Sequence, residues 1–355
     1  MNNISFFENK PIYSRKPTQS SMEKEILFVS RNANRGGAIY EDQIKKILEK
    51  SYNVDILDLD PEKNKIYFFK KLQYHHQIRS FKPKKEHEIL ITNRAGVYAG
   101  VLKRKFNKSI LVLHHYVSDE NRYPVIRTIL KNRFLSKLKS FDTIVVVADF
   151  WKKYLEQYVE PQKIEVINNS FDVNEINKNL DDLNKKFFKR KYGIPDDKII
   201  VYAGPALKVK GYQEVVKQLN AEKYFVITTG DKEDNVNHLH LKLDYKEYIQ
   251  LLATADITVI LSRLIEGWNR IAHESLLCGT PVIGTNKGGF GELLNNANQI
   301  IYSEGDNLED LINKSITNKN LITSGQLYAS KFDVKYFTER WETIINKSID
   351  NLDNA

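Results

Sequence analysis

Three short stretches of this 355-residue chain set charged side chains beside backbone that a phosphate can approach. In Ser262-Arg263-Leu264-Ile265-Glu266-Gly267-Trp268-Asn269-Arg270-Ile271-Ala272-His273-Glu274, Glu266 precedes a predicted helix and Glu274 lies about two turns into it. A helix opening near Trp268 offers unpaired backbone N–H groups and the positive end of its dipole, a ready place for a diphosphate. Carboxylates accept paired hydrogen bonds from vicinal diols, the groups that sugars and riboses present. The second stretch, Tyr202 to Gly211, carries Gly204, Pro205, Lys208 and Lys210 between a strand and a helix. Lysine there is a point charge suited to phosphate oxygens. The third, Cys278 to Leu294, runs from a helix end through a strand to Gly288-Gly289 and Glu292, bringing bare backbone close to a ligand.

Each of these residues has an ordinary reading when taken alone. Gly36-Gly37, with Arg35 before them, are common turn punctuation, and His114-His115 are ordinary loop or core histidines. Glu266 is a solvated loop acid and Glu274 a helix-surface acid. Their joint occurrence with Lys210 and the glycine turn makes them a site. Asp58-Leu59-Asp60 superficially matches a metal-binding Asp-x-Asp, but it ends an early strand without supporting context and reads as structural. No Cys/His cluster has metal spacing. The single cysteine, Cys278, sits in an apolar run and reads as a small buried hydrophobe.

The elements that must position these groups alternate. Apolar runs at Ile26–Ser30, Val54–Leu59, Glu88–Thr92, Ser109–His114, Thr143–Val147 and Lys163–Ile167 are separated by helical spacing, as over residues 39–50. Lys198–Gly204 restarts the pattern, followed by strands at Tyr224–Thr228, Ile257–Leu261 and Pro281–Gly284 and helices near 212–219, 245–254 and 269–278. Continuous apolar strands divided by helices imply parallel sheets covered on both faces. The α/β reading is therefore two doubly wound domains, with a polar junction from Asp172 to Lys186. The boundaries expected are an extension over 1–22, an N-terminal domain over 23–172, a C-terminal domain over 173–330 and a closing segment over 331–355.

Charge is unevenly shared. Residues 1–172 hold 31 Lys and Arg against 20 Asp and Glu, and the remainder 23 against 25. The excess is densest over 61–85, interleaved with Tyr67, Phe68, Phe69, Tyr74 and Phe81, and over 102–139. Such a mixture suits an anionic membrane surface, a phosphate-bearing acceptor or nucleic acid, and equally a solvated lysine-rich face. The amphipathic stretch Arg122–Ser140 is expected to pack on the N-terminal sheet. No apolar window has the length of a signal peptide or membrane span, so a cytoplasmic protein is expected.

Taken together, the three stretches resemble the retaining GT-B glycosyltransferases of family 4, the glycosyl transferases group 1. The resemblance rests on Lys210-Gly211, Glu266 with Glu274, Cys278-Gly279-Thr280-Pro281-Val282-Ile283 and Gly288-Gly289 with Glu292, in that order. It covers about residues 25–345, most closely 198–294, with Asn168–Asp172 similar to the family's domain-crossing segment and Gly36-Gly37 to its first-strand glycine pair. It implies two Rossmann-like domains facing across a cleft, and a final helix near Val334–Ile345 crossing back to the first domain. It implies that Glu274 binds the donor ribose, that Lys210 binds the diphosphate, and that Glu266 holds the transferred sugar with backbone N–H groups of Trp268, Asn269 and Arg270. A histidine after the fourth strand touches the sugar; His114 or His115 fits, and His114 is favoured.

Two positions depart from the pattern. Pro205 replaces the family's arginine, so either Lys208, Arg263 or Arg270 supplies the missing charge or leaving-group stabilisation is weakened, and Asn269 replaces a glycine. The implied partners are a nucleotide sugar, UDP- or GDP-linked, and a saccharide or lipid-linked acceptor, with peripheral contact to an anionic membrane. No obligatory cofactor or metal is implied, and no nucleic acid is expected. A nucleotide-sugar 2-epimerase shares the architecture but needs a different acidic and histidine set. The alternative of another class is a catalytically impaired binder of sugar nucleotides or polyanions.

Overall fold

The structure, a computed structural model, describes residues 25–31, 36–59, 67–82, 87–103, 105–115, 132–233 and 236–353. The 1–22 extension, Arg35, Asp60, much of the basic 61–85 stretch and the first part of the Arg122–Ser140 helix lie outside them.

Two parallel sheets of six strands each organise the chain. The first comprises β1 (Glu25–Arg31), β2 (Asn53–Leu59), β3 (Ile89–Asn93), β4 (Lys108–Leu113), β5 (Thr143–Val146) and β6 (Ile164–Val166), ordered β2-β1-β3-β4-β5-β6. The second comprises β7 (Ile199–Tyr202), β8 (Tyr224–Thr229), β9 (Leu239–Leu241), β10 (Ile257–Ile260), β11 (Val282–Thr285) and β12 (Ile300–Tyr302), ordered β12-β11-β10-β7-β8-β9. The central strands are apolar on both sides because helices cover both faces; β3 and β10 are buried at every residue.

Three expectations are corrected. The polar stretch from Asp172 forms two helices, Val173–Asp181 and Lys185–Tyr192, capped by the Asp172 and Asn184 side chains. Ile176 and Phe188 are the buried residues of these two helices, too few for an apolar stripe to show in the sequence. Gly36 and Gly37 open the helix Gly36–Ser51 instead of lying in a loop. Strands β9 and β12 were not expected: each is three residues long and stands at a sheet edge, with at most one buried residue. Within residues 132–138, Phe134, Leu135 and Leu138 are buried in the core, so this part of the amphipathic stretch packs inward.

The last helix, Val334–Asp353, runs beyond Ile345 and lies on the N-terminal domain. Its Phe337 and Trp341 pack on Tyr40, with ring centroids 4.9 and 6.4 Å apart. Arg340 donates to the Val166 carbonyl at 3.2 Å, and Tyr52 donates to Asn346 at 3.0 Å. The chain thus fastens its end to its first domain through aromatic burial and a few polar ties. Trp341 is fully buried, so Trp341→Ala should lower stability by about 3–5 kcal/mol. Urea unfolding checks this; an unchanged midpoint would mean that the helix contributes nothing to the N-terminal domain.

Candidate functional site

All strands being parallel, the loops at their carboxyl ends collect in one seam between the sheets, where open α/β sheets place ligands. His114 follows β4, Ala148 follows β5, Gly204 follows β7, residues 262–268 follow β10 and Gly288 follows β11.

Glu266 is the most constrained group there. Its carboxylate is 8 % exposed; Lys210 Nζ stands 2.9 Å from Oε1 and Asn269 Nδ2 donates to Oε2 at 3.0 Å. Asn269 also caps the helix Arg270–Leu277, its Oδ1 accepting from the Ala272 N–H at 2.9 Å. The residue that replaces the family's glycine therefore joins the helix start to the loop acid. This link was not legible in the sequence, although Asn two residues after a glycine and before a helix is a capping signal. The Trp268, Asn269 and Arg270 amides have no acceptor among the described residues. Lys210 itself ends a short 3-10 turn that closes on Gly211, whose φ of 79° and contact with the Leu261 carbonyl leave no room for a side chain.

Glu274 lies one turn deeper, buried. Tyr248 donates to its Oε2 at 2.9 Å and Arg270 stands 3.6 Å from Oε1. Burial pushes its carboxyl up, with Arg270 and the Tyr248 hydroxyl opposing. Arg270 also donates to the Ser170 carbonyl at 3.3 Å and stacks on Phe171 at 4.2 Å, tying the helix to the domain-crossing segment. Of the other cations, Arg263 pairs with Glu214 instead of joining this group, and Lys208 is exposed, its backbone N–H donating to Glu233. Gly204 takes a φ of 69° at the end of β7, next to Pro205.

The first domain closes on this loop. Gly267 lies against the His114 carbonyl, and Gly289 against the Gly267 carbonyl and Ala148. Trp151 Nε1 donates to the Glu266 carbonyl at 3.3 Å, and Gly289 N–H to the same oxygen at 2.9 Å. Glu292 accepts from the Asp149 and Phe150 N–H groups at 3.1 and 2.6 Å, so a carboxylate of one domain caps a helix of the other. Burial raises the Glu292 carboxyl, and the two N–H groups draw it back. His114 turns its ring towards the helix that Gly36 opens: it lies against Gly37, edge-on to Tyr40, with Nε2 3.7 Å from Glu41. His115 keeps an exposed edge, but crowding by the protein lowers its pKa, and the charges of His114, Arg94 and Lys210 push the same way. Lys210, Glu266, Asn269, Arg270 and Glu274 thus form one connected group with the histidines alongside; Arg263 and Lys208 stand apart.

Known proteins resemble this chain in sequence and in fold. Residues 184–329 match the family described as glycosyl transferases group 1. The putative glycosyltransferase YtcC of Bacillus subtilis is 26 % identical over 267 residues, covering 65 % of this chain and 64 % of that protein, a little under two thirds of its length. Sucrose-phosphate synthase of Thermosynechococcus elongatus superposes with a TM-score of 0.73 at 14 % identity, over 91 % of this chain and 98 % of that one. Anabaena HepE, solved in complex with UDP and glucose, gives 0.68 at 16 % identity, over 94 % and 100 %. The fold is that of the GT-B glycosyltransferases, two Rossmann-like domains facing across a cleft. The match to the glycosyl transferases group 1 falls within the C-terminal domain. Among the described residues no helix is long and apolar enough to cross a membrane.

Two predictions follow from the packing under the loop. His273 is fully buried, stacked on Phe171 at 4.0 Å, with Nδ1 accepting from Trp268 Nε1 at 3.3 Å and Nε2 donating to the Ala329 carbonyl at 3.0 Å. Those bonds require the neutral ring, and burial pushes its pKa down to about 3. A folded value below the unfolded 6.5 means that the unfolded chain takes up the proton first. Stability should therefore fall by about 1.4 kcal/mol per pH unit below that point, and His273→Gln should lose this slope in urea titrations against pH. Gly289→Ala would drive a methyl into the Gly267 carbonyl, and should cost about 1–3 kcal/mol. A melting temperature equal to wild type would show that the two loops part freely.

Proposed function

We propose that this chain is a retaining glycosyltransferase that moves a hexose-type sugar from a UDP- or GDP-linked donor to a saccharide or lipid-linked acceptor in bacterial glycan biosynthesis. The observation that carries the reading is the Lys210–Glu266 pair set at the open first turn of the helix Arg270–Leu277. In this reading the donor diphosphate lies on the Trp268, Asn269 and Arg270 amides, with Lys210 matching its charge and no metal obligatory. Glu266 takes sugar hydroxyls, Glu274 takes the ribose, and His114 approaches the sugar from the first domain. As the anomeric C–O bond breaks, fixed dipoles and Lys210 stabilise the departing diphosphate. The acceptor hydroxyl attacks from the same face, and its proton leaves with the diphosphate. The domain seam excludes water and limits hydrolysis.

The Lys210–Glu266 contact supports the reading in a further way. A lysine held against a carboxylate is already aimed, so an arriving diphosphate meets an oriented cation. Pro205 removes one positive group from this wall, and in this reading Arg270, first residue of the helix and 3.6 Å from Glu274, replaces it. The basic N-terminal half suits an acceptor carrying phosphate at the inner face of the cell membrane, with the protein in the cytoplasm.

The test is release of UDP or GDP from a panel of nucleotide sugars, with and without added saccharide. Wild-type protein should turn over one of them; Lys210→Ala and Glu266→Ala should each lower kcat by about 10²–10³-fold. Binding of a nucleotide sugar without turnover would favour the impaired-binder reading, and full activity of both variants would remove these residues from the site.

A further inference from the structure

Glu274 does not stand alone in its pocket, and its surroundings contain a group that no motif marks. Tyr248 is partly buried with its hydroxyl 2.9 Å from Glu274 Oε2, on the helix Tyr245–Thr254. That helix has a complete capping box, with Asp244 accepting from the Glu247 N–H and Glu247 from the Asp244 N–H, so its first turn is rigidly placed. Behind Tyr248 lies Tyr202 of β7, the ring centroids 6.2 Å apart, and the Tyr202 hydroxyl is 2.7 Å from Thr229 Oγ1 at the end of β8. Thr229 in turn adjoins Gly230, whose φ of 75° turns the chain beside Pro205. Buried Tyr202 and partly buried Tyr248 therefore join the loop after β8 to the carboxylate on the helix Arg270–Leu277.

We propose that Tyr248 is a positioning residue for Glu274, holding its carboxylate in the one orientation from which it can grip the donor ribose. The inference rests on the reading of Glu274 as the ribose-binding acid. A buried carboxylate must keep most of its acceptor sites filled. Oε2 is committed to Tyr248, while Oε1 faces Arg270 at 3.6 Å, longer than a hydrogen bond. Oε1 and the second lone pair of Oε2 therefore remain for a vicinal diol. With the Tyr248 hydroxyl removed, the carboxylate is free to rotate towards Arg270 and satisfy itself there, turning away from the ligand. Tyr248 contacts no reacting atom in this scheme, so it sets donor affinity and leaves the chemical step untouched.

The experiment is calorimetric binding of UDP and of GDP to the full chain, each compared with its 2′,3′-dideoxy counterpart, for wild type and for Tyr248→Phe. Wild type should bind the ribose form of one nucleotide at least tenfold more tightly than the dideoxy form. Tyr248→Phe should lose about tenfold in affinity for the ribose form and nothing for the dideoxy form. In turnover, KM for the donor should rise by the same factor with kcat unchanged. Glu274→Gln, which keeps the side-chain volume, should abolish the ribose preference, and adding Tyr248→Phe to it should have no further effect. An equal loss by Tyr248→Phe for both nucleotide forms would mean general loosening of the pocket and overturns the proposal alone. If wild type itself does not distinguish ribose from dideoxyribose, the ribose reading of Glu274 fails and the positioning role falls with it.

Discussion

A carboxylate removed from water must be matched in charge and hydrogen bonding, or it neutralises or moves. Glu266 meets that demand at the seam of two domains, and much of the local architecture follows from it. Lys210 must come from the loop after β7, which fixes the Gly211 turn, and Asn269 must sit at the helix cap, which fixes where the helix Arg270–Leu277 begins. The backbone carbonyl of the same residue is taken by Trp151 of the first domain and by Gly289. One residue thus anchors a cation, a helix terminus and a domain contact.

Close approach of backbones is the second condition. Gly267 stands where any side chain would overlap the His114 carbonyl, so the two domains meet there main chain against main chain, and Gly289 is held as closely to the Gly267 carbonyl within its own domain. Glu292 then satisfies the helix start at Asp149 and Phe150 from across the seam, in place of a cap from that helix's own chain neighbourhood. Beneath the loop, neutral His273 stacks on Phe171 and Arg270 binds Ser170, so the domain-crossing segment is fastened to the helix that carries the proposed donor site.

Two residues depart from the family pattern, Pro205 and Asn269. Pro205 supplies no charge, yet an arginine appears at the first position of the adjacent helix. Asn269 lacks the conformational freedom of the glycine it replaces, and serves instead as both cap and partner to Glu266. Arg263, one of the three candidates read from sequence, is bound to Glu214. Charge in a loop is thus no guide to which side of the loop it serves.

The sequence by itself determined the two alternating α/β units, the parallel central strands and the grouping of Glu266, Glu274, Lys210 and the glycine turn. Apolar runs and glycine spacing are local properties, and a parallel strand buried on both faces writes itself plainly. The helices over 173–192 and the edge strands β9 and β12 were hidden because few of their residues are buried, and burial is what makes periodicity visible. Only the tertiary structure decided which cations meet which acids, that Trp151 and Glu292 reach across the seam, and that Tyr248 holds Glu274. Those contacts join residues as far as 143 positions apart, and their partners are chosen by how the sheets face each other, which no local pattern encodes.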